Sequence, residues 1–112
     1  LMQPVCATDQ VPVDGACEVQ VNGEGVVIVN RDGQFYAYMN WCPHLGIELN
    51  FMPDQFMDED NTFIMCANHG ALFEVESGNC LSGPCANECL KAVELDVRDG
   101  QIHLGELPAT TP

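Results

Sequence analysis

Residues 25–40, GVVIVNRDGQFYAYMN, carry the clearest structural signal in this chain of 112 residues. Two runs rich in Val, Ile, Tyr and Phe stand on either side of Arg31-Asp32-Gly33. β-branched and aromatic residues favour strands, and an Asp-Gly pair is a frequent turn of a tight hairpin. The stretch therefore predicts an antiparallel β-hairpin that turns at residues 31–33.

Similar runs continue this pattern along the chain. Further turns are predicted at 77–79 (SGN) and 98–100 (RDG), and further strands at 17–21 (CEVQV), 62–66 (TFIMC), 71–76 (ALFEVE), 91–97 (KAVELDV) and 101–104 (QIHL). The run 91–97 alternates, which places Val93, Leu95 and Val97 on one face. No run of ten residues has the pattern of a helix. Residues 51–61 are expected to be irregular, and the tail 105–112 (GELPATTP) is expected to be loosely held. We expect a single domain, 1–112, with a small all-β fold, an antiparallel sandwich or barrel.

The charge balance limits the classes of partner. Seventeen acidic residues against three basic ones give a formal net charge of −14. Nucleic acids and anionic membrane surfaces repel such a chain, so neither is expected as a partner. The charge would steer the chain toward a basic docking surface on a redox protein, although it also fits plain solubility or a salt-adapted proteome. No apolar run approaches the length of a membrane span and no signal peptide is recognisable, so the expected location is the cytoplasm.

Two short segments, WCPHLG (41–46) and CANHG (66–70), each place a cysteine close to a histidine. The seven cysteines cannot all pair within one chain, which turns attention to metal ligands or catalysis. Zinc sites use the same ligand types, but a single residue separates Cys42 from His44, fewer than is usual for paired zinc ligands. A catalytic Cys–His pair needs only one thiol and one imidazole, so it would leave the second segment unexplained. If the segments had no function, a cysteine and a histidine would have to be close together by chance in two similar loops. If Cys42 and His44 bound one zinc ion, the short segment between them would be strained. In a two-iron cluster each segment gives one ligand to each metal, so the two residues would bind neighbouring irons without that strain.

These segments resemble the ligand pattern of the Rieske [2Fe–2S] proteins, Cys-x-His followed after a spacer by Cys-x-x-His. The resemblance extends over HGALFEVESGNCLSGPC (69–85) and LKAVELDVRDGQIHL (90–104). It implies one Rieske-type [2Fe–2S] cluster and a metal and cofactor site with Cys42 and Cys66 on the inner iron and His44 and His69 on the outer iron. Gly46 and Gly70 would let the two ligand loops turn tightly.

The resemblance also implies how the domain is divided. A cluster-binding subdomain, about 41–86, would consist of the two ligand loops and a covering loop at Gly83-Pro84. A base subdomain would be formed by 1–40 and 87–106. Trp41, just before the first ligand, is expected to pack in the core, and His103 is expected to be a satisfied structural histidine.

The sequence departs from the high-potential members of that family. Their additional disulfide-bonded cysteines are replaced by Ile47 and Asn68, and the Ser and Tyr hydroxyls that donate to cluster sulfurs are replaced by Ala71 and Phe73. Missing donors leave the reduced cluster less stabilised, so we expect a low-potential Rieske ferredoxin. A Cys80–Cys85 bridge is geometrically possible, but a reducing cytosol favours buried free thiols at 80, 85 and 89.

The function that the resemblance implies is that of a one-electron carrier, not an enzyme. The sequence is similar to ferredoxin components that pass electrons from a flavin reductase to a ring-hydroxylating oxygenase. Two alternatives remain open. One is the small Rieske subunit of an assimilatory nitrite reductase, which would pair with the large subunit of that enzyme; the other is a redox-sensing interaction module.

Overall fold

The computed structural model describes residues 2–41, 56–60, 62–66, 70–82 and 89–107, and within them the regular secondary structure is almost entirely β-strand. Its only helical element in these ranges is a 3-10 turn at Thr8–Gln10. The strands are β1 (Gln3–Ala7), β2 (Gly15–Val21), β3 (Glu24–Arg31), β4 (Gln34–Met39), β5 (Ile64–Cys66), β6 (Ala71–Phe73), β7 (Cys80–Ser82), β8 (Leu95–Arg98) and β9 (Gln101–Leu104). The predicted all-β antiparallel fold is confirmed. In the same ranges no helix is long and apolar enough to cross a membrane.

The strands form three antiparallel sheets of three strands each. The central sheet has the order β2-β3-β4, the terminal sheet the order β1-β9-β8, and the small sheet the order β5-β6-β7. All three use hairpin neighbours, and β1 joins the terminal sheet by pairing with β9. Each sheet is thus built largely from strands that follow one another in the sequence.

The hairpin predicted at 31–33 is present, and β3 pairs with β4 around it. Asp32 and Gly33 have φ angles of +53° and +87°, the left-handed conformation that tight hairpin turns require. The buried Asn30 supports the turn, because its Oδ1 accepts a hydrogen bond from the Gly33 N–H at 2.9 Å. Its Nδ2 donates to the Val11 carbonyl at 3.1 Å, so both ends of this amide are satisfied.

Strand β3 is buried on both faces. Its four residues 26–29 all have 0% exposure. Val27 and Val29 pack in a cluster with residues of the small sheet, whereas Val26 and Ile28 pack in a second cluster with residues of the terminal sheet. The central sheet therefore lies between the other two, which explains why its middle strand is a continuous apolar run and does not alternate with polar residues.

Residues 91–93 extend the central sheet beyond β4. The Met39 N–H donates to the Lys91 carbonyl and the Val93 N–H donates to the Ala37 carbonyl, both at 2.9 Å. The strand predicted at 91–97 therefore begins only at Leu95, since residues 91–93 pair with the edge of β4 and β8 belongs to the terminal sheet. Val93 is buried as expected, but Val97 is 43% exposed, because β8 is the outer strand of its sheet.

Two strands were not predicted, β1 and β7. Strand β1 contains Pro4, which has no N–H to donate but is tolerated on an edge strand, and β7 has only three residues. Of the segment 51–61, predicted to be irregular, only 56–60 is described; there Met57 forms a single bridge with Ile64. The division into the cluster-binding part, 41–86, and the base, 1–40 with 87–106, stays a prediction.

Candidate metal centre

Cys66 is the one predicted ligand that lies among the described residues. It is the last residue of β5 and has 0% exposure. The Gly70 N–H donates to the Cys66 carbonyl at 2.9 Å, and Gly70 has a φ of +68°, which is costly for any residue with a Cβ. The expectation that Gly70 serves a tight turn is therefore confirmed, and the thiol of Cys66 is held on a well-fixed strand end.

The chain approaches the first ligand segment from the end of β4. The Asn40 N–H donates to the Gly25 carbonyl at 3.0 Å, and its Nδ2 donates to Glu18 Oε2 at 2.8 Å. Trp41 packs against the cluster of apolar residues shared by the central and terminal sheets, as predicted. Backbone and side-chain contacts thus fix the position from which residue 42 continues.

The other predicted site residues lie outside the described ranges: Cys42, His44, Gly46, His69, Gly83 and Pro84. Among the residues that are described, no group of three or more His, Cys, Asp and Glu side chains is placed to hold a metal ion. The structure consequently brings Cys66 to a strand end but tests neither its grouping with Cys42 nor that with the two histidines. The assignment of the four ligands stays a prediction.

The environment of Cys66 is nevertheless compatible with a thiolate ligand of an iron–sulfur cluster. Its partner across the strand pair is Ala71, and Ile64 pairs with Phe73 two residues further along. Because alternate residues share a face, Ala71 and Phe73 lie on the same side of this pair as Cys66. The buried thiol is thus flanked by side chains without hydroxyls, and a bound cluster would supply the one-electron chemistry there.

Tyr38 links the central sheet to the segment that follows β6. Its hydroxyl donates to the Val75 carbonyl at 2.5 Å, and its side chain is 3% exposed. Burial, together with the smaller effects of the nearby Tyr36, Glu76 and Glu74, raises the pKa of Tyr38 to about 12. The hydroxyl therefore remains a hydrogen-bond donor throughout the physiological pH range. The sequence did not single out Tyr38, because Tyr36 has the same type of position in the same strand.

The expected state of the remaining cysteines needs one correction. Cys80 is disulfide-bonded, so the prediction of a free thiol there is wrong, and its partner lies outside the described residues. Cys89 is a free thiol as expected, but it is exposed and not buried. Residue 80 begins the short strand β7, which is paired with β6 on one side only. Bridge formation at position 80 thus outweighs the general preference for reduced thiols.

His103 also differs from expectation. It lies on β9, half-buried, and its Nδ1 is buried without a hydrogen-bond partner. One strand neighbour of His103 is Pro4 and the other is Asp96. The prediction of a satisfied structural histidine is therefore wrong for this nitrogen.

The fold is that of a known class of protein. The family model of the Rieske [2Fe–2S] domain matches residues 2–103, and the chain belongs to this family. It carries one Rieske-type [2Fe–2S] cluster and is an electron-transfer protein, not an enzyme in itself.

Three proteins similar to this chain belong to oxygenase systems. The chain is 35% identical over 105 residues to the ferredoxin component of the alkene monooxygenase system of Xanthobacter autotrophicus, covering 93% of this chain and 80% of the relative. It is 30% identical to the biphenyl dioxygenase ferredoxin subunit of a Pseudomonas species, covering 84% of each chain. A solved complex of reduced oxygenase and oxidised ferredoxin in carbazole 1,9a-dioxygenase contains a chain with a TM-score of 0.77 and 26% identity, covering 96% of both chains. The chain is thus a Rieske ferredoxin that resembles the electron carriers of oxygenase systems.

Proposed function

We propose that this chain carries single electrons from a flavin reductase to a terminal oxygenase. The observation that carries the proposal is its similarity, over 93% of its length, to a ferredoxin component of an alkene monooxygenase system. The solved oxygenase–ferredoxin complex of carbazole 1,9a-dioxygenase supports a terminal oxygenase as the acceptor. A carrier of this kind needs no substrate pocket, only a cluster near the surface and a face that docks transiently.

The ligands in this proposal are Cys42 and Cys66 on the inner iron and His44 and His69 on the outer iron. The buried thiol of Cys66 at the end of β5 supports the assignment. Two thiolates and two neutral imidazoles leave the oxidised cluster with no net charge and the reduced cluster with one negative charge. Four thiolates would add two negative charges to each state, so the imidazole ligands make electron uptake easier.

The ligand assignment is tested by comparing Cys66→Ala with Cys89→Ala. Cys89 is an exposed free thiol and serves as the matched control. The wild type and Cys89→Ala should each contain about two irons and two acid-labile sulfides per chain, with the visible spectrum of the cluster. Cys66→Ala should lack both. Zinc without labile sulfide in the wild type, or an unchanged spectrum in Cys66→Ala, would overturn the assignment.

Docking to a basic surface of the acceptor is the second part of the proposal. Glu24 and Glu106 are exposed and line one concave surface. The register of Val26 with Met39 places Glu24 at the end of β4 that leads to Trp41 and the first ligand segment. Asp32 lies at the opposite end of β3, roughly 25 Å away for a strand of this length and beyond the range of screened charge at physiological salt.

Two double variants test this docking. The first variant, Glu24→Gln with Glu106→Gln, removes two negative charges at the end of the central sheet near Trp41. The second, Asp32→Asn with Asp99→Asn, removes two negative charges at hairpin turns. Both turn positions have positive φ, which asparagine tolerates. Reduction of a terminal oxygenase by each variant is followed by stopped-flow absorbance at increasing salt. The first variant should lose several-fold in association rate at low salt, and the second should resemble the wild type. Equal rates for both would exclude docking by this end.

The choice of acceptor is tested by offering the reduced chain three partners. These are the terminal oxygenase of an alkene monooxygenase, that of a biphenyl dioxygenase and a nitrite reductase large subunit. Rapid oxidation by an oxygenase supports the proposal, and preference for the nitrite reductase subunit overturns it. We place the carrier in the cytoplasm; the free thiols of Cys6 and Cys89 support a reducing compartment, whereas the disulfide at Cys80 stands against one.

A further inference from the structure

Cys6 and Cys17 belong to different sheets but face the same apolar cluster. A register shift between Pro4 and Cys6 in β1 places Cys6 opposite Ile102 of β9. Cys17 of β2 lies opposite Ile28 of β3. Residues directly opposite each other in a ladder share a face, and both isoleucines are fully buried members of the cluster between the central and terminal sheets. Both cysteines are half-buried and pack against that cluster.

The side chains of Cys6 and Cys17 interact across the gap between β1 and β2. Burial raises the pKa of the Cys6 thiol, and a hydrogen bond between the side chains of Cys6 and Cys17 opposes this rise. Thiols that share a hydrogen bond are neighbours, and neighbouring cysteines on two strands form a disulfide where their Cβ atoms can approach each other. The proposed cluster ligands do not include either cysteine, so the proposed function leaves this pair unexplained.

We propose that Cys6 and Cys17 form a dithiol–disulfide site, oxidised by a low-molecular-weight disulfide, whose oxidised form fastens β1 to β2. One cysteine thiolate attacks a sulfur of the oxidant, for example oxidised glutathione, and releases one glutathione thiolate. The second cysteine then displaces the other glutathione. The two protein thiols lose two electrons and two protons, and the glutathione disulfide is reduced to two glutathione thiols.

The bond would close a loop that includes the 3-10 turn Thr8–Gln10 and the buried Val11. Cross-linking this loop restricts the unfolded chain and should raise the midpoint of thermal unfolding by roughly 10 °C. Because the thiolate is the reacting form and burial disfavours it, oxidation should be slow near neutral pH and faster at alkaline pH.

Mass spectrometry of the cluster-loaded protein tests the proposal directly. The chain has basic residues only at 31, 91 and 98, so trypsin yields fragment 1–31, which contains Cys6 and Cys17 and no other cysteine. The protein is incubated anaerobically with oxidised glutathione, alkylated and digested. Fragment 1–31 should lose two hydrogen atoms and take up no alkyl group, and after reduction it should take up two.

Three variants complete the experiment. Cys89→Ser, which removes an exposed thiol elsewhere, should leave the result unchanged. Cys6→Ser and Cys17→Ser should abolish both the mass loss and the rise in thermal midpoint, while the visible spectrum of the cluster stays the same. The mass of wild-type fragment 1–31 decides the question even if a serine variant fails to fold. Two alkylated cysteines in that fragment, or a glutathione on each, would overturn the proposal.

Discussion

Replacing Tyr38 by Phe removes one oxygen atom from the junction between the central and small sheets. The Tyr38 hydroxyl donates to the Val75 carbonyl, and both residues are buried in the same apolar cluster. The substitution keeps the ring but leaves that carbonyl without its donor. An unsatisfied buried acceptor costs about 1–3 kcal/mol. In a domain of this size each kcal/mol corresponds to several degrees, so the midpoint of thermal unfolding should fall by roughly 10 °C.

Tyr36→Phe is the matched control. Tyr36 lies two residues away in the same strand and is partly buried against the same cluster, so its replacement changes the same atoms. Thermal unfolding of the cluster-loaded variants is followed by far-UV circular dichroism and by visible absorbance at one scan rate. Tyr38→Phe should unfold well below Tyr36→Phe, which should stay within a few degrees of the wild type. If the two midpoints coincide, the hydrogen bond to Val75 contributes nothing to stability.

The raised pKa of Tyr38 adds a dependence on pH. The unfolded chain releases this proton near pH 10, but the folded chain holds it until about pH 12. Between these values the unfolded state binds fewer protons, so stability falls as pH rises. The stabilising contribution is complete below pH 10 and is lost as pH approaches 12. Tyr38→Phe should lack this part of the alkaline decline, and an identical decline in both proteins would contradict the assignment.

The remaining predictions concern glycine packing and redox tuning. Gly78→Ala should destabilise the fold more than Gly23→Ala: both sites have positive φ, but an alanine Cβ at 78 would lie 2.8 Å from Tyr38 Cε1, whereas at 23 it would meet nothing within 4 Å. Equal losses in urea denaturation would mean that backbone strain alone matters. Ala71→Ser should raise the redox potential of the cluster, because residue 71 lies opposite Cys66 and a hydroxyl there can donate to a sulfur. A hydrogen bond that stabilised only the reduced cluster would raise the potential by roughly 60–130 mV. Because the bond also stabilises the oxidised cluster in part, a rise of a few tens of millivolts is expected in voltammetry. Phe73→Tyr should shift the potential in the same direction. A wild-type potential above about +100 mV would contradict the low-potential assignment.

The parts of the fold that the sequence predicted depend on local chemistry. Strands β2, β3, β4 and β9 and the turn at Asp32-Gly33 follow from apolar runs and from one dipeptide suited to positive φ. Strands β1 and β7 were missed because their existence depends on pairing with β9 and β6, which no local pattern encodes. The burial of β3 on both faces likewise results from the packing of three sheets.

In the site, too, features set by local sequence were predicted and features set by distant contacts were missed. The spacing of Cys42, His44, Cys66 and His69, together with the similarity over 69–85 and 90–104, predicted the family, because the pattern of two cysteine and two histidine ligands lies in local sequence. The sequence could not distinguish Tyr38 from Tyr36, since only contact with Val75, far along the chain, separates them. The bridge at Cys80 was missed for a similar reason: the redox compartment is a general argument, whereas bond formation depends on local geometry.

The pairing of β1 with β9 has a practical consequence for engineering. Gln3 lies directly opposite Leu104, so the two ends of the described chain are neighbours in one sheet. A short peptide could join them, and new termini could open at the exposed Asp32-Gly33 turn without cutting a strand. A reductase or oxygenase joined at Gln3 or at Leu104 would be tethered from the same point of the terminal sheet, so linker length and not the choice of attachment point would set its effective concentration.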